Sequence, residues 1–222
     1  MKKVTVVLLS GGLDSCVAAT MKAQEDTEVY LLSFDYESPP SVREDDARRR
    51  VSTWLRTNYS NVRGHETIDI KGYLKLRTTE RIGLIPQGYP FTRDEVFMLL
   101  GASWLERLLI ENEDYGHGEV VIATTKEDTK NFEDILPEVY IYLNGILDTK
   151  YSNKIGKSMR ISTPLIDMMK DEVVKKGVEI RAPLEYTWSC YFGGENPCRE
   201  CDQCTWRANA FEKAGMVDPF ET

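Results

Sequence analysis

At 222 residues, with a net charge of −8 and a pI near 5, the chain is long enough to close one domain around its own hydrophobic core. Its composition, 41% hydrophobic and 29% charged, is that of an ordinary globular protein, and no apolar run is long enough to span a bilayer. The acidic balance argues against broad nucleic-acid binding, which rests on clustered Lys and Arg neutralising phosphates, and favours a small substrate.

Residues 4–9 form a β-branched, nearly continuous apolar run ended by Ser-Gly-Gly, the pattern of a strand buried on both faces of a parallel sheet. The run is six residues long and a Gly-Gly-Leu-Asp turn follows it, so it reads as a first strand of a cytoplasmic protein rather than as a signal peptide. Residues 13–24 have helical spacing, and residues 29–34 repeat the strand pattern. Residues 44–57 read as a polar helix with Val51, Trp54 and Leu55 as its buried stripe. In it Arg48, Arg49 and Arg50 stand beside Glu44, Asp45 and Asp46, which reads as a solvated, mixed-charge face.

A third strand is expected at 66–70. An ordered loop at 71–93 follows, carrying Gly83, Pro86, Gln87, Gly88 and Pro90. Residues 96–110 are apolar nearly all round, as in a core helix. Strands at 119–123 and 159–162 alternate with helices at 136–147 and 168–176, the last halted by Gly177. This alternation predicts an α/β fold: a doubly wound, Rossmann-like parallel sheet of five strands with helices on both faces. The expected division is a sheet domain at 1–186 and a cysteine-rich module at 187–222 packed on it.

Ser10-Gly11-Gly12-Leu13-Asp14-Ser15 falls between the first strand and first helix. There glycines let backbone N–H groups approach phosphate and the helix N-terminus adds positive potential. The Walker and dinucleotide patterns are absent. The plainer alternative is a turn in which Asp14 and Ser15 satisfy first-turn N–H groups. Cys16, one turn into the helix, reads as a small core residue.

Near the C-terminus, Cys190, Cys198, Cys201 and Cys204 offer four soft ligands in two CxxC steps, suited to a closed, structural tetrahedral Zn²⁺. An iron–sulfur cluster is the alternative, because the last three form a CxxCxxC run; reactive disulfide chemistry is a weaker one. His65 and His117 belong to no recognisable constellation.

The SGGLDS segment resembles the PP-loop of the N-type ATP pyrophosphatases. That resemblance implies ATP with Mg²⁺. Ser10, Gly11, Gly12, Leu13 and Ser15 would hold the β- and γ-phosphates, while Asp14 would position magnesium or the loop itself. A narrower resemblance follows from Thr187-Trp188-Ser189-Cys190-Tyr191, Pro197-Cys198, Cys201-Asp202, Cys204, Arg207 and Asp218-Pro219. Residues 161–165 with Lys170, and Ser33-Phe34-Asp35-Tyr36, agree with it. Together these resemble the 7-cyano-7-deazaguanine synthases.

Members of that family adenylate 7-carboxy-7-deazaguanine, let ammonia displace AMP, and dehydrate the amide to the nitrile. The resemblance implies a homodimer, Asp35 on the nucleotide side, Arg93 and Asp128 toward the substrate, and Lys170 as a charge-stabilising cation. Lys170 could equally be a solvated lysine opening an amphipathic helix. Asp134 is either an acceptor for a purine-like amidine edge or a helix cap.

The sequence departs from the family in two loops. Residues 37–43 replace its usual Gly-Gln-Arg-His, and Thr129, Lys130, Asn131, Ile135 and Leu136 replace its small, cysteine and arginine residues. Asp94 stands where it usually has Asn. An alternative is therefore a divergent enzyme that stops at the amide or conjugates the activated deazaguanine to another amine, such as one on a protein. A PP-loop enzyme acting directly on RNA fits the acidic charge less well.

Overall fold

The computed structural model describes residues 1–73, 92–131, 136–151 and 156–219. Among them, strands β1 (Lys2–Leu8), β2 (Glu28–Asp35), β3 (Val62–Asp69), β4 (Tyr115–Val121) and β5 (Ser158–Ser162) form one sheet in the order β3-β2-β1-β4-β5. Every pairing is parallel. The helices are α1 (Leu13–Ala23), α2 (Ser41–Asn58), α3 (Arg93–Glu111), α4 (Lys126–Asn131), α5 (Pro137–Tyr151), α6 (Lys170–Glu179) and α7 (Asp202–Ala214). The expected fold class is the one observed. No helix among the described residues is long and apolar enough to cross a membrane.

β1 is central, and its continuous apolar run follows from having both faces covered. Val4, Val6 and Leu8 pack with Met98, Leu105 and Leu143 of α3 and α5. Val7 and Leu9 pack on the other face with Val17, Val51 and Val173 of α1, α2 and α6. Cys16 is fully buried there, as a core residue.

The edge strand β3 starts at Val62 rather than at residue 66. It pairs only with β2, and most of its side chains are partly or fully exposed, so backbone pairing rather than apolar pattern defines its beginning. Helix α7 was not anticipated. Its buried residues Cys204, Arg207, Ala210 and Phe211 lie at helical spacing, but Cys and Arg disguise the stripe. Of the expected loop at 71–93, residues 74–91 lie outside the described residues.

The cysteine-rich segment is joined to the sheet. Ala210 and Phe211 enter the core cluster of α1 and α6, and the Trp188 N–H donates to the Gly11 carbonyl at 2.9 Å. Arg207 is buried and holds both oxygens of Asp218, at 2.7 and 2.9 Å, and donates to Thr187 Oγ1 at 2.8 Å.

Beneath the sheet Lys22 Nζ meets Glu119 Oε2 at 3.0 Å, with only 8% and 12% of their side chains exposed. Arg160 adds a second donor to Glu119 at 2.9 Å. Burial opposes the Glu119 charge, but the Ser162 hydroxyl, Lys22 and Arg160 together outweigh it and hold the carboxyl below its ordinary value of 4.5. A depressed carboxyl stabilises the fold above its unfolded pKa, and this contribution disappears as pH falls through the folded value. Glu119→Gln should therefore cost about 2 kcal/mol at neutral pH, and the gap should narrow as pH falls through the depressed folded value. Denaturant melts of both proteins across an acid titration check this.

Candidate active site

β1 runs out to β2 and β3 on one side, and the chain then crosses to β4 and β5 on the other. A topological switch point results at the carboxyl ends of β1 and β4, where open α/β sheets bind ligands. A cleft of about 260 Å³ opens there, lined by Leu9 and Ser10 after β1, Phe34 of β2, and Ile122 to Thr124 after β4.

The loop Ser10 to Ser15 forms one wall. The Gly12 N–H donates to Ser10 Oγ at 3.2 Å, Ser10 Oγ and Ser15 Oγ share a hydrogen bond at 2.9 Å, and Ser15 Oγ donates to the Gly12 carbonyl at 3.1 Å. Gly12 caps α1, whose first-turn N–H groups have no acceptor within the helix. Gly11 has φ +90°, and a β-carbon there would lie 2.8 Å from the Glu44 carbonyl. Only glycine fits.

Lys170, 7% exposed at the start of α6, reaches the cleft from β5's side. Its Nζ lies 2.8 Å from Asp14 Oδ2 and 3.3 Å from Asp128 Oδ1, so three of the expected residues meet. Burial opposes the ammonium, but Asp14 and Asp128 outweigh it and keep it charged, above the ordinary lysine range. The solvated alternative for Lys170 is thereby excluded.

Asp128 is fixed by a reciprocal cap. Its Oδ2 accepts from the Thr125 N–H and hydroxyl at 2.9 and 2.7 Å, while its own N–H faces Thr125 Oγ1 at 3.4 Å. The signal Thr125-x-x-Asp128 was present in the sequence. Glu127 accepts from the Lys170 N–H at 2.9 Å, tying α4 to α6.

Part of the cleft lining is aromatic. Phe34 and Phe97 stack at 4.5 Å, Tyr36 tilts against Phe97, and the Arg93 guanidinium lies 5.9 Å from the Tyr36 and Phe97 rings. Arg93 Nη1 donates to the Tyr36 hydroxyl at 3.3 Å, and Asp94 pairs with Arg93 Nε at 3.0 Å. Trp188 and Tyr191 close the cysteine-rich side.

Two expected residues stand apart. Asp35 accepts from the Glu37 N–H at 3.2 Å and pairs with Lys71 at 2.9 Å, and it does not line the cleft. Asp134 lies outside the described residues. Arg48 corrects the reading of its run: it is buried and lines the cleft, whereas Arg49 and Arg50 are exposed and pair with Asp45 and Asp46. Helical geometry rotates Arg48 inward beside Val51 and Ala47, which the mixed charges hid. His65, against Ser33 Oγ at 2.8 Å, is pushed down to about 4 by burial and by Arg48, so it is neutral at physiological pH.

The sulfurs of Cys190, Cys198, Cys201 and Cys204 all lie within 4.8 Å of one another, with Cys198 and Cys204 at 3.9 Å. A tetrahedral metal with bonds of about 2.3 Å places its sulfurs about 3.8 Å apart. Backbone N–H groups of Phe192 and Cys198 point at Cys190 Sγ at 3.3 and 3.4 Å, and those of Glu200 and Cys201 at Cys198 Sγ at 3.4 and 3.3 Å. The latter two hold the Cys198 thiol down to about 7, toward the thiolate that a metal needs. The donor set fits a metal ion.

A family model described as queuosine biosynthesis protein QueC matches residues 4–215. The chain belongs to the QueC family. It is 34% identical to a 7-cyano-7-deazaguanine synthase of Acidobacterium capsulatum, over 97% of this chain and 94% of that one. It is 31% identical to a 7-cyano-7-deazaguanine synthase of Thermoplasma volcanium, over 100% of this chain and 91% of that one. Among solved structures, an NMN synthetase from Francisella tularensis shares the fold at TM-score 0.52 and 15% identity, over 97% of this chain and 78% of that one. Within the QueC family the chain is an ATP-dependent enzyme of the ligase type.

Metal occupancy should be one ion per chain by elemental mass spectrometry. Cys198→Ser should reduce it several-fold and lower Tm by roughly 10 °C, equivalent to about 3–4 kcal/mol. Full occupancy with an unchanged melt would contradict the assignment.

Proposed function

We propose that the chain makes 7-cyano-7-deazaguanine from 7-carboxy-7-deazaguanine, ATP and ammonia. A carboxylate oxygen attacks the α-phosphorus of ATP, and the bond to pyrophosphate breaks. Ammonia then adds to the acyl carbon, and AMP leaves to give the amide. The amide oxygen then attacks the α-phosphorus of a second ATP, a second pyrophosphate leaves, and loss of AMP with the two N–H protons leaves the nitrile. A carboxylate is a poor electrophile, so the enzyme's task is to align reactants and stabilise charge beside phosphate.

The observation that carries this reading is Lys170 held between Asp14 and Asp128 next to the loop. We assign Ser10, Gly11, Gly12, Leu13 and Ser15 to the β- and γ-phosphates and Lys170 to the charge developing at the α-phosphate. Being held protonated, Lys170 acts as a cation and not as a base. Asp14 Oδ1 is buried without a hydrogen-bond partner, which fits a role as ligand to Mg²⁺. Asp128 orients Lys170, and Arg93 with its aromatic neighbours receives the deazapurine. Asp35 steadies the rebuilt segment at 37–43 on the nucleotide side. Asp134 keeps its proposed role toward the amidine edge.

The four cysteines would hold zinc in closed coordination, where it contributes folding stability and fixes the wall from Trp188 to Tyr191. We treat 187–222 as a module folded onto the domain at 1–186, in a cytoplasmic enzyme. A homodimer is supported by Ile141 and Tyr142 on α5, both 69% exposed, with Ile146 beside them. Light scattering tests the dimer.

Incubation with 7-carboxy-7-deazaguanine, ammonia and labelled ATP, followed by mass spectrometry, tests the chemistry. Nitrile, AMP and pyrophosphate are expected. Amide alone, or a protein carrying the deazaguanyl mass, would instead favour the divergent alternative that the altered loops suggest. Release of ADP and orthophosphate would sink both. Lys170→Met should lower kcat by on the order of 10²- to 10³-fold, the loss seen when one donor to transition-state charge is removed.

A further inference from the structure

The wall contributed by α2 carries a guanidinium that this chemistry leaves unused. Arg48 is 3% exposed, and Nη1 donates to the Phe34 carbonyl at 2.9 Å. Nε is buried with no acceptor, and Nη2 lies 3.8 Å from Glu44 Oε2, too far for a hydrogen bond. That carboxylate oxygen already accepts from Ser38 Oγ at 2.6 Å. The Nε and Nη2 donors form the side-on fork of the guanidinium, the edge that matches two oxygens of a phosphate. Glu44, which also lines the cleft, balances the charge at 3.8 Å, but an edge buried without hydrogen bonds is costly unless an acceptor arrives from elsewhere.

Its position says which acceptor. Arg48 lines the same cleft as Ser10, Gly12 and Ser15. Its stem lies against the loop itself, with Cγ 3.3 Å from where a β-carbon on Gly11 would sit. The loop offers dipoles but no full positive charge, and Lys170 is shared between two carboxylates.

We propose that Arg48 binds the outer phosphates of the nucleotide through its Nε and Nη2 edge, with the Phe34 carbonyl holding the opposite side of the fork in place. This rests on the ATP reading above and adds a specific anion-binding residue to it.

Calorimetric titration of ATP, pyrophosphate and AMP into wild type, Arg48→Met and Arg48→Lys tests the proposal. Arg48→Met should weaken ATP and pyrophosphate by on the order of 10- to 100-fold, as expected for a charged hydrogen-bonded contact. AMP, which lacks the outer phosphates, should bind as before. Arg48→Lys keeps the charge without the fork and should lose several-fold for pyrophosphate.

Equal losses for AMP and ATP would mean a merely structural role and overturn the proposal, as would unchanged affinities. Should circular dichroism show Arg48→Met unfolded, Arg48→Lys decides: a folded variant with undiminished pyrophosphate affinity overturns it. Wild type that fails to bind ATP would remove the ATP reading itself. Wild type that binds ATP beside unaffected variants removes only this inference.

Discussion

The close approach at Gly11 is the constraint on which the site depends. Its positive φ and missing side chain let the backbone of α2 come within contact distance, and its carbonyl accepts the N–H of Trp188. Three parts of the chain distant in sequence therefore meet at one residue: the turn after β1, the inner face of α2, and the start of the cysteine-rich segment. Any β-carbon would push α2 away and, with it, the wall of the cleft. The four-cysteine segment is in this sense part of the site, because Trp188 near its start hangs from the Ser10–Ser15 loop.

Much of this was legible in the sequence because a parallel sheet buried on both faces leaves a continuous apolar signature. β1 and β2 have it, whereas β4, Tyr-Gly-His-Gly-Glu-Val-Val, shows it only at its last residues and begins at Tyr115 rather than at the expected 119. The edge strand β3 does not, since one side of its ladder and many of its side chains meet solvent. The glycine loop and the four cysteines were readable for another reason: both use local spacing, and local spacing survives folding unchanged.

Residues recruited from different elements were harder to see. Lys170 reaches Asp14 across 156 positions, and nothing local separates it from a solvated lysine. Arg48 was hidden by its neighbours, since three consecutive arginines look alike until the helix turns one of them inward. Asp35 had the converse fate. It lies at the carboxyl end of a central strand, yet its carboxylate turns to Lys71 and the Glu37 N–H.

The charge arrangement explains how a chain of net charge −8 can accept a polyphosphate. Long-range attraction contributes little at physiological salt, where interactions between exposed charges are screened beyond about 8 Å. What counts is charge held at contact distance in a partly desolvated cleft. The cleft gathers the loop dipoles, Arg48, which donates to the Phe34 carbonyl, and Arg93 and Asp94 with their aromatic rings. Lys170, Asp14 and Asp128 form a buried charged group in the same lining. The departures from the family pattern at 37–43 and at Asp94 fall outside this group, whereas those at 129–131 directly follow Asp128 on α4. A sequence can therefore change other parts of the cleft while leaving the Lys170 group as it is, because the lysine's geometry is fixed by its own two carboxylates, by the Thr125–Asp128 cap of α4 and by the bond from Glu127 to the start of α6.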